Sequence, residues 1–215
     1  MSIGTVEMII KNKIILILRG VPASRAVPLA EALYNGGVRL MEVTFDQRAM
    51  AEGIREACYA IKKINDAFGE KICVGAGTVL SRDQVRAAAE AGAKYMISPN
   101  ADFDVIRATK ELGLISIPGA LSPTEIIAAH KAGADFVKLF PADSLGLKYA
   151  KAVMAPVNHI PMLAVGGVDE TNLKDFLQAG FLGVGVGGSI VKKDLLKSGA
   201  YGEITELALK YTSQI

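Results

Sequence analysis

Cysteine and histidine are scarce in this chain, and their scarcity removes whole classes of function. Two cysteines in 215 residues, Cys58 and Cys73, cannot build a disulfide framework and lack the CxxC spacing of a metal or redox site. The expectation is a reducing, cytoplasmic compartment. The two histidines, His130 in a helical stretch and His159 ahead of a strand, have no partners at ligand spacing. No metal, no cofactor and no histidine-activated nucleophile is therefore expected. Strong charge is missing too: the net charge is +2, with both signs mixed along the chain, which gives no basic stripe for nucleic acid and no acidic tail. Long apolar runs are absent, IILIL at 14–18 being the longest, and MSIGTVEMIIKNK carries no basic leader ahead of an apolar run. Neither a signal peptide nor a membrane span is expected, which leaves small molecules and copies of the chain itself as partners.

What is present is alternation. Short β-branched runs recur at 13–19, 38–45, 71–77, 94–98, 114–118, 135–140, 162–167 and 182–188, separated by longer amphipathic stretches. Ser81 with Gln84, and Ser122 with Glu125 around Pro123, have the form of capping boxes. A glycine precedes a strand in NGGVRLMEV, EAGAKYMIS, ELGLISIP, KAGADFVKLF and QAGFLGVGV, where a helix must turn sharply into the sheet. Eight such units close most economically into an α/β (β/α)8 TIM barrel, a single domain over residues 1–215; an open doubly wound sheet is the competitor. Residues 1–12, with Val6, Ile9 and Ile10 on one side, predict a short extra N-terminal helix over the barrel floor.

Barrels carry their active sites at the C-terminal ends of the strands, and three charges fall there: Arg19, Glu42 and Lys138. Lys138 lies inside the apolar run DFVKLF, where burial would favour the neutral, nucleophilic amine that forms Schiff bases with ketones. Side chains alternate along a strand, so Ile15, Ile17 and Arg19 share a face, as do Leu40, Glu42 and Thr44, and Phe136, Lys138 and Phe140. If these faces point inward, a carboxylate, an amine and a guanidinium meet in one pocket. The bland alternative is a buried ion pair that merely fills the barrel, which apolar packing would replace at less cost. A second constellation is glycine, in AVGGV at 164–168 and GVGVGGS at 183–189. Loops after the last two strands are the usual phosphate site of a barrel, so Gly166, Gly167, Gly187, Gly188 and Ser189 are candidate anion ligands. The GxGxxG match in that run would need a further strand after the next helix to make a dinucleotide fold, and only residues 189–215 remain for it.

Taken together, EVTF, VGAGTVL, ISPN, IPGALSPTE, VKLFPA, GGV and GVGGS, in this order, resemble the class I 2-keto-3-deoxy-6-phosphogluconate aldolase and 4-hydroxy-2-oxoglutarate aldolase family. The resemblance spans nearly the whole chain. It implies a metal-independent lyase, usually a homotrimer, that cleaves a 2-keto-4-hydroxy acid to pyruvate and an aldehyde. By motif position it puts the Schiff-base lysine on Lys138 and the proton-transferring carboxylate on Glu42. It puts a carboxylate contact on Thr78, pocket walls on Pro99 and Phe140, and phosphate contacts on Gly166, Gly167, Gly188 and Ser189. Two positions depart from the family's best-known members: Asp46 stands where they have arginine, and Val165 where they have threonine. Arg19 is then the nearest cation to hold a substrate anion, and Asn100 in ISPN is a further, smaller departure. An isomerase or epimerase, with Glu42 as base, and a non-catalytic sugar-phosphate sensor are the rival readings.

Overall fold

The computed structural model describes residues 3–215; Met1 and Ser2, at the start of the expected N-terminal helix, lie outside the described residues. After α1 (Ile3–Asn12), strands and helices alternate. They are β1 (Ile14–Leu18), α2 (Ala23–Asn35), β2 (Leu40–Thr44), α3 (Met50–Phe68), β3 (Cys73–Gly77), α4 (Arg82–Glu90), β4 (Tyr95–Ile97) and α5 (Phe103–Glu111). The second half runs β5 (Ile115–Ile117), β6 (Gly119–Ala120), α6 (Pro123–Lys131), β7 (Val137–Leu139), α7 (Gly146–Met154), β8 (Met162–Val165), α8 (Leu173–Gln178) and β9 (Gly183–Val186). Helices α9 (Lys193–Ser198) and α10 (Tyr201–Thr212) follow.

The strands are all parallel, in the order β5-β4-β3-β2-β1-β9-β8-β7-β6. Among the described residues nine strands stand where the sequence predicts eight, because Pro118 splits the fifth one. Proline has no N–H to donate, so the ladder is interrupted at that residue. The carbonyls still bond on both sides: Ser98 N donates to Ile117 O (3.3 Å), Lys138 N to Pro118 O (2.8 Å) and Phe140 N to Ala120 O (3.0 Å). β5 and β6 are thus one continuous stave, and the eight-stave barrel closes through it.

Alternation along the strands sorts their side chains into two cores. Ile14, Leu16 and Leu18 of β1, Met41 and Val43 of β2, and Val137 and Leu139 of β7 pack outward against the helices. Ile15, Leu40, Cys73, Tyr95, Ile115, Phe136 and Leu163 fill the barrel itself, joined from below by Ile9 of α1. The helix does cover the floor. Among the helix starts, Ser122 and Glu125 make the reciprocal capping box the sequence predicts. Ser81 and Gln84 make only half of one: Ser81 Oγ accepts from Gln84 N, but the Gln84 side chain turns to Leu80 N instead. No described helix is long and apolar enough to cross a membrane.

Candidate active site

Glu42 and Lys138 share the inward faces of Leu40 and Phe136, and both reach the upper barrel interior, at 3 % and 6 % exposure. In the sheet Glu42 pairs with Ile17 and Gly75, and Lys138 with Gly119 and Leu163. Glycine gives the carboxylate its room: a Cβ on Gly77 would lie 2.9 Å from both Cδ and Oε1 of Glu42. The Lys138 Nζ sits 4.5 Å from the centre of the Phe140 ring, a cation–π contact that also screens it from water.

Burial dominates the electrostatics of both groups. It pushes the Glu42 carboxyl above the usual carboxylate range, against the pull of Lys138 and then Arg19. It pushes the Lys138 amine below the usual lysine range; Glu42 opposes this and Arg19 adds to it. Yet among the described residues no salt bridge within 4.0 Å joins the two. Glu42 Oε2 is buried without a hydrogen-bond partner. A packing-only ion pair would close that gap, because an unpaired buried carboxylate oxygen is costly. The arrangement holds an amine of raised nucleophilicity and a carboxylate of raised basicity apart, facing the same interior space.

Arg19 lies one residue beyond the end of β1 and is exposed rather than inside the barrel. It lines a cavity of about 590 Å³ between the ends of β8, β9 and β1, together with Gly166, Gly167, Gly187, Gly188 and Ser189. Ile17, Val168, Asp169, Gly185, Val191 and Lys193 complete the wall. Glu42 and Lys138 are deeper and not on this wall; Ile17, paired with Glu42 across β1 and β2, connects the two levels. Gly166 and Gly167 have φ of +92° and +80°, conformations that side chains resist, and a Cβ on Gly167 would lie 2.4 Å from that of Asp143. Lys193 went unnoticed in the sequence because nothing in VKKD distinguishes it from a surface lysine. A larger cavity, about 800 Å³, lies around Thr5, Met8, Cys73 and Lys94, at the floor end of the barrel away from both buried charges.

Thr78 follows β3 with φ +56°, a rare conformation for a β-branched residue, costing on the order of 1–3 kcal/mol. Its neighbours are tied down, Gly77 O by Phe45 N (2.9 Å) and Ile97 O by Val79 N (3.1 Å). Among the described residues, the Thr78 N–H donates to no backbone carbonyl. Pro99 is half-buried after β4, where only the missing side chain of Gly119 admits its carbonyl, 2.3 Å from an added Cβ. Of the departures, Asp46 is exposed and caps the short 3-10 helix Gln47–Ala49, accepting from Arg48 N. Val165 is inside the barrel, 5 % exposed, beside Gly185; Asn100 is exposed. The histidines, treated separately in the sequence, meet edge to face at 5.9 Å between ring centres. Among the described residues no group of three His, Cys, Asp or Glu side chains could hold a metal ion.

Comparison with known proteins identifies the family. The family described as "Aldolase: KDPG and KHG aldolase" matches residues 6–207. The 2-dehydro-3-deoxy-6-phosphogalactonate aldolase of Escherichia coli K12 is 34% identical over 183 residues, 85% of this chain and 86% of the relative. The KHG/KDPG aldolase of the same strain is 35% identical over 85% of this chain and 83% of its own length. Among solved structures, the KDPG aldolase of Legionella pneumophila, with pyruvate captured at low pH as a covalent carbinolamine intermediate, superposes with TM-score 0.82 and 28% identity. That match covers 92% of this chain and 93% of the other. The barrel, the buried amine and carboxylate in its upper interior, and the matches over most of the chain agree: this protein belongs to the KDPG and KHG aldolase family.

Proposed function

We propose that Lys138 and Glu42 carry out the chemistry of this class I aldolase, a lyase that cleaves a 2-keto-4-hydroxy acid to pyruvate and an aldehyde. The observation that carries the assignment is the separated, buried pair: a lysine whose amine is pushed toward neutrality and a carboxylate with one unpartnered oxygen. The neutral Nζ attacks the C2 ketone to give a carbinolamine, and Glu42 assists the loss of water that leaves an iminium. Glu42 then accepts the C4 hydroxyl proton as the C3–C4 bond breaks, and the aldehyde departs. The bond's electron pair passes into the iminium, giving an enamine. Protonation at C3 and hydrolysis by water release pyruvate and the free lysine. Fixed donors around an apolar pocket are screened less than in water, which strengthens each of these steps.

Arg19 and Thr78 hold the keto acid's carboxylate in this reading, with Pro99 and Phe140 as walls. The substrate's far end is a phosphate, held by Gly166, Gly167, Gly187, Gly188 and Ser189. Two features favour an anionic end. Lys193 lines the cavity without a salt bridge among the described residues, and the Asp169 carboxylate is already engaged by Thr171 N and Oγ1. The substrate class is a 2-keto-3-deoxy-6-phospho sugar acid, the kind of compound named for the Escherichia coli relative.

Residues 1–215 act as one barrel domain in this reading, in the cytoplasm, where the free thiols Cys58 and Cys73 stay reduced. Burial pushes the Cys73 thiol up to about 11, so it takes no part in the chemistry. We also assign the chain to a homotrimer. Met50, Leu80 and Phe103, exposed at 77%, 38% and 41%, fall after the consecutive strands β2, β3 and β4 and give a second copy apolar surface to cover. Light scattering should then give three times 22.7 kDa.

Incubation with pyruvate and borohydride tests the central claim. A reduced pyruvyl adduct on Lys138 is expected; an adduct elsewhere, or none, ends the assignment. Comparing kcat/KM for phosphorylated and unphosphorylated keto acids tests the substrate class.

A further inference from the structure

The segment that carries Asp46 in place of the family's arginine is not idle. Asp46 turns it into the 3-10 helix Gln47–Ala49, and that turn places Gln47 against the loop after β3. Gln47 Nε2 donates to the carbonyl of Thr78 at 2.8 Å, and Gln47 Oε1 accepts from Gln84 Nε2 at 2.9 Å. Gln84 Oε1 in turn accepts from Leu80 N at 2.7 Å, and Gln84 itself is 7 % exposed at the start of α4. The two amides therefore form a chain that leaves from the carbonyl of Thr78 and returns to the N–H two residues later. The residue enclosed is Val79, and the carbonyl at which the chain starts belongs to Thr78, the residue held at φ +56°.

A strained residue persists only where its surroundings over-determine it, and such residues collect at ligand clamps. Hydrogen bonds at Gly77 O and Val79 N fix the backbone on either side of Thr78, and the relay adds the bond that holds its carbonyl, against the extended conformation that threonine ordinarily adopts. Each amide group in the relay has one direction that satisfies both neighbours, since nitrogen must donate to the Thr78 carbonyl and oxygen must accept from Leu80 N. The relay is therefore directional: loss of Gln47 frees the Thr78 carbonyl directly, and loss of Gln84 frees the Leu80 N–H and removes the donor that orients the Gln47 amide.

We propose that Gln47 and Gln84 are positioning residues for substrate binding: they hold Thr78 in its left-handed conformation so that it meets the carboxylate of the keto acid. The inference rests on the reading of Thr78 as a carboxylate contact. It also explains how a chain with aspartate at position 46 uses that loop, clamping a carboxylate ligand from behind instead of supplying a cation.

The test reads the pyruvate concentration that half-saturates borohydride trapping, alongside kcat for retro-aldol cleavage at saturating substrate. Gln47→Leu and Gln84→Leu should each raise the half-saturating pyruvate concentration about three- to ten-fold, the weight of one hydrogen bond, with kcat little changed. Gln84→Glu keeps the acceptor for Leu80 N but cannot donate to Gln47; it should fall between wild type and Gln84→Leu, and it guards against misfolding of the leucine variants. Combining Gln47→Leu with Thr78→Ala should add little to Thr78→Ala alone, because both act through one contact. If Thr78→Ala weakens pyruvate binding while every glutamine variant binds like wild type, the relay is refuted and the Thr78 reading stands. If Thr78→Ala has no effect either, the carboxylate assignment fails and takes the relay with it. Equal losses in kcat and affinity would mark general loop damage and also refute the proposal.

Discussion

The lower and upper halves of the barrel interior are built by the same staves to opposite ends. Below, Ile15, Leu40, Cys73, Ile115, Phe136 and Leu163 make an apolar plug sealed by Ile9, which is fully buried. One residue pair further along β2 and β7, the same faces carry Glu42 and Lys138, with Gly75, Gly77 and Gly119 beside them instead of side chains. Tyr95 marks the boundary: its ring fills the space above Gly75, where a Cβ would lie 2.2 Å from it, and its hydroxyl donates to Met41 O at 2.7 Å. The lower half gains stability by burying apolar area. The upper half gives stability up, burying charge and leaving space, in exchange for reactivity.

Replacing the upper half's chemistry should therefore have the largest effect on function. Lys138→Met should lower kcat by on the order of 10⁴-fold or more, as removal of a covalent nucleophile does. A variant keeping a tenth of wild-type activity would move the nucleophile to another residue. Removing both buried charges together should not harm the fold. Glu42 binds its proton more readily folded than unfolded, so its contribution to stability falls as pH rises from the ordinary carboxylate range through its raised value. Lys138 binds its proton less readily folded, so stability climbs as pH rises through its lowered value toward the ordinary lysine range. Near neutrality both charged forms work against folding. The double variant Glu42→Gln, Lys138→Met should unfold at higher urea concentration than wild type, by about 1–4 kcal/mol. A less stable double variant would mean that the two halves do not differ in the way proposed.

Glycines sharpen the same contrast on a smaller scale. Gly75→Ala drives a methyl into the Tyr95 ring and should cost about 1–3 kcal/mol, seen as a lower thermal midpoint. Gly188→Ala at the mouth meets nothing within 4 Å, so stability should stay within about 0.5 kcal/mol while KM for a phosphorylated substrate rises. Matching losses of stability at both positions would erase the distinction.

The upper half was the more legible of the two in the sequence, because a lone lysine in VKL and a lone glutamate in LMEVT break an apolar pattern that alternation then aims inward. The staves and the capping box of Ser122 and Glu125 were legible for the same reason: periodicity and local hydrogen bonding are encoded within a few residues. What escaped was set by distance in the chain. Gln84 looked like half of a capping box at Ser81, and only the fold brings it 37 residues back to Gln47. Arg19 was placed on the inward face by parity, but β1 stops at Leu18 and the alternation stops with it. The ninth strand came from Pro118, whose missing N–H divides a stave without bending its path.

The smallest expected effect bears on how the upper half is tuned. Glu42 holds the Lys138 pKa up and Arg19 presses it down, Glu42 being the stronger influence. Removing each should displace the pH profile of reductive pyruvate trapping in opposite directions. Glu42→Gln takes away the negative charge that favours the ammonium, so the amine becomes reactive at lower pH. Arg19→Met takes away a positive charge that disfavours it, so reactivity appears at higher pH, by a smaller margin because Arg19 is exposed and screened. Opposite shifts would show that one amine is being read under the influence of both charges. Shifts of the same sign would mean that the profile follows a different titrating group, and that the buried lysine does not set the pH at which this site begins to work.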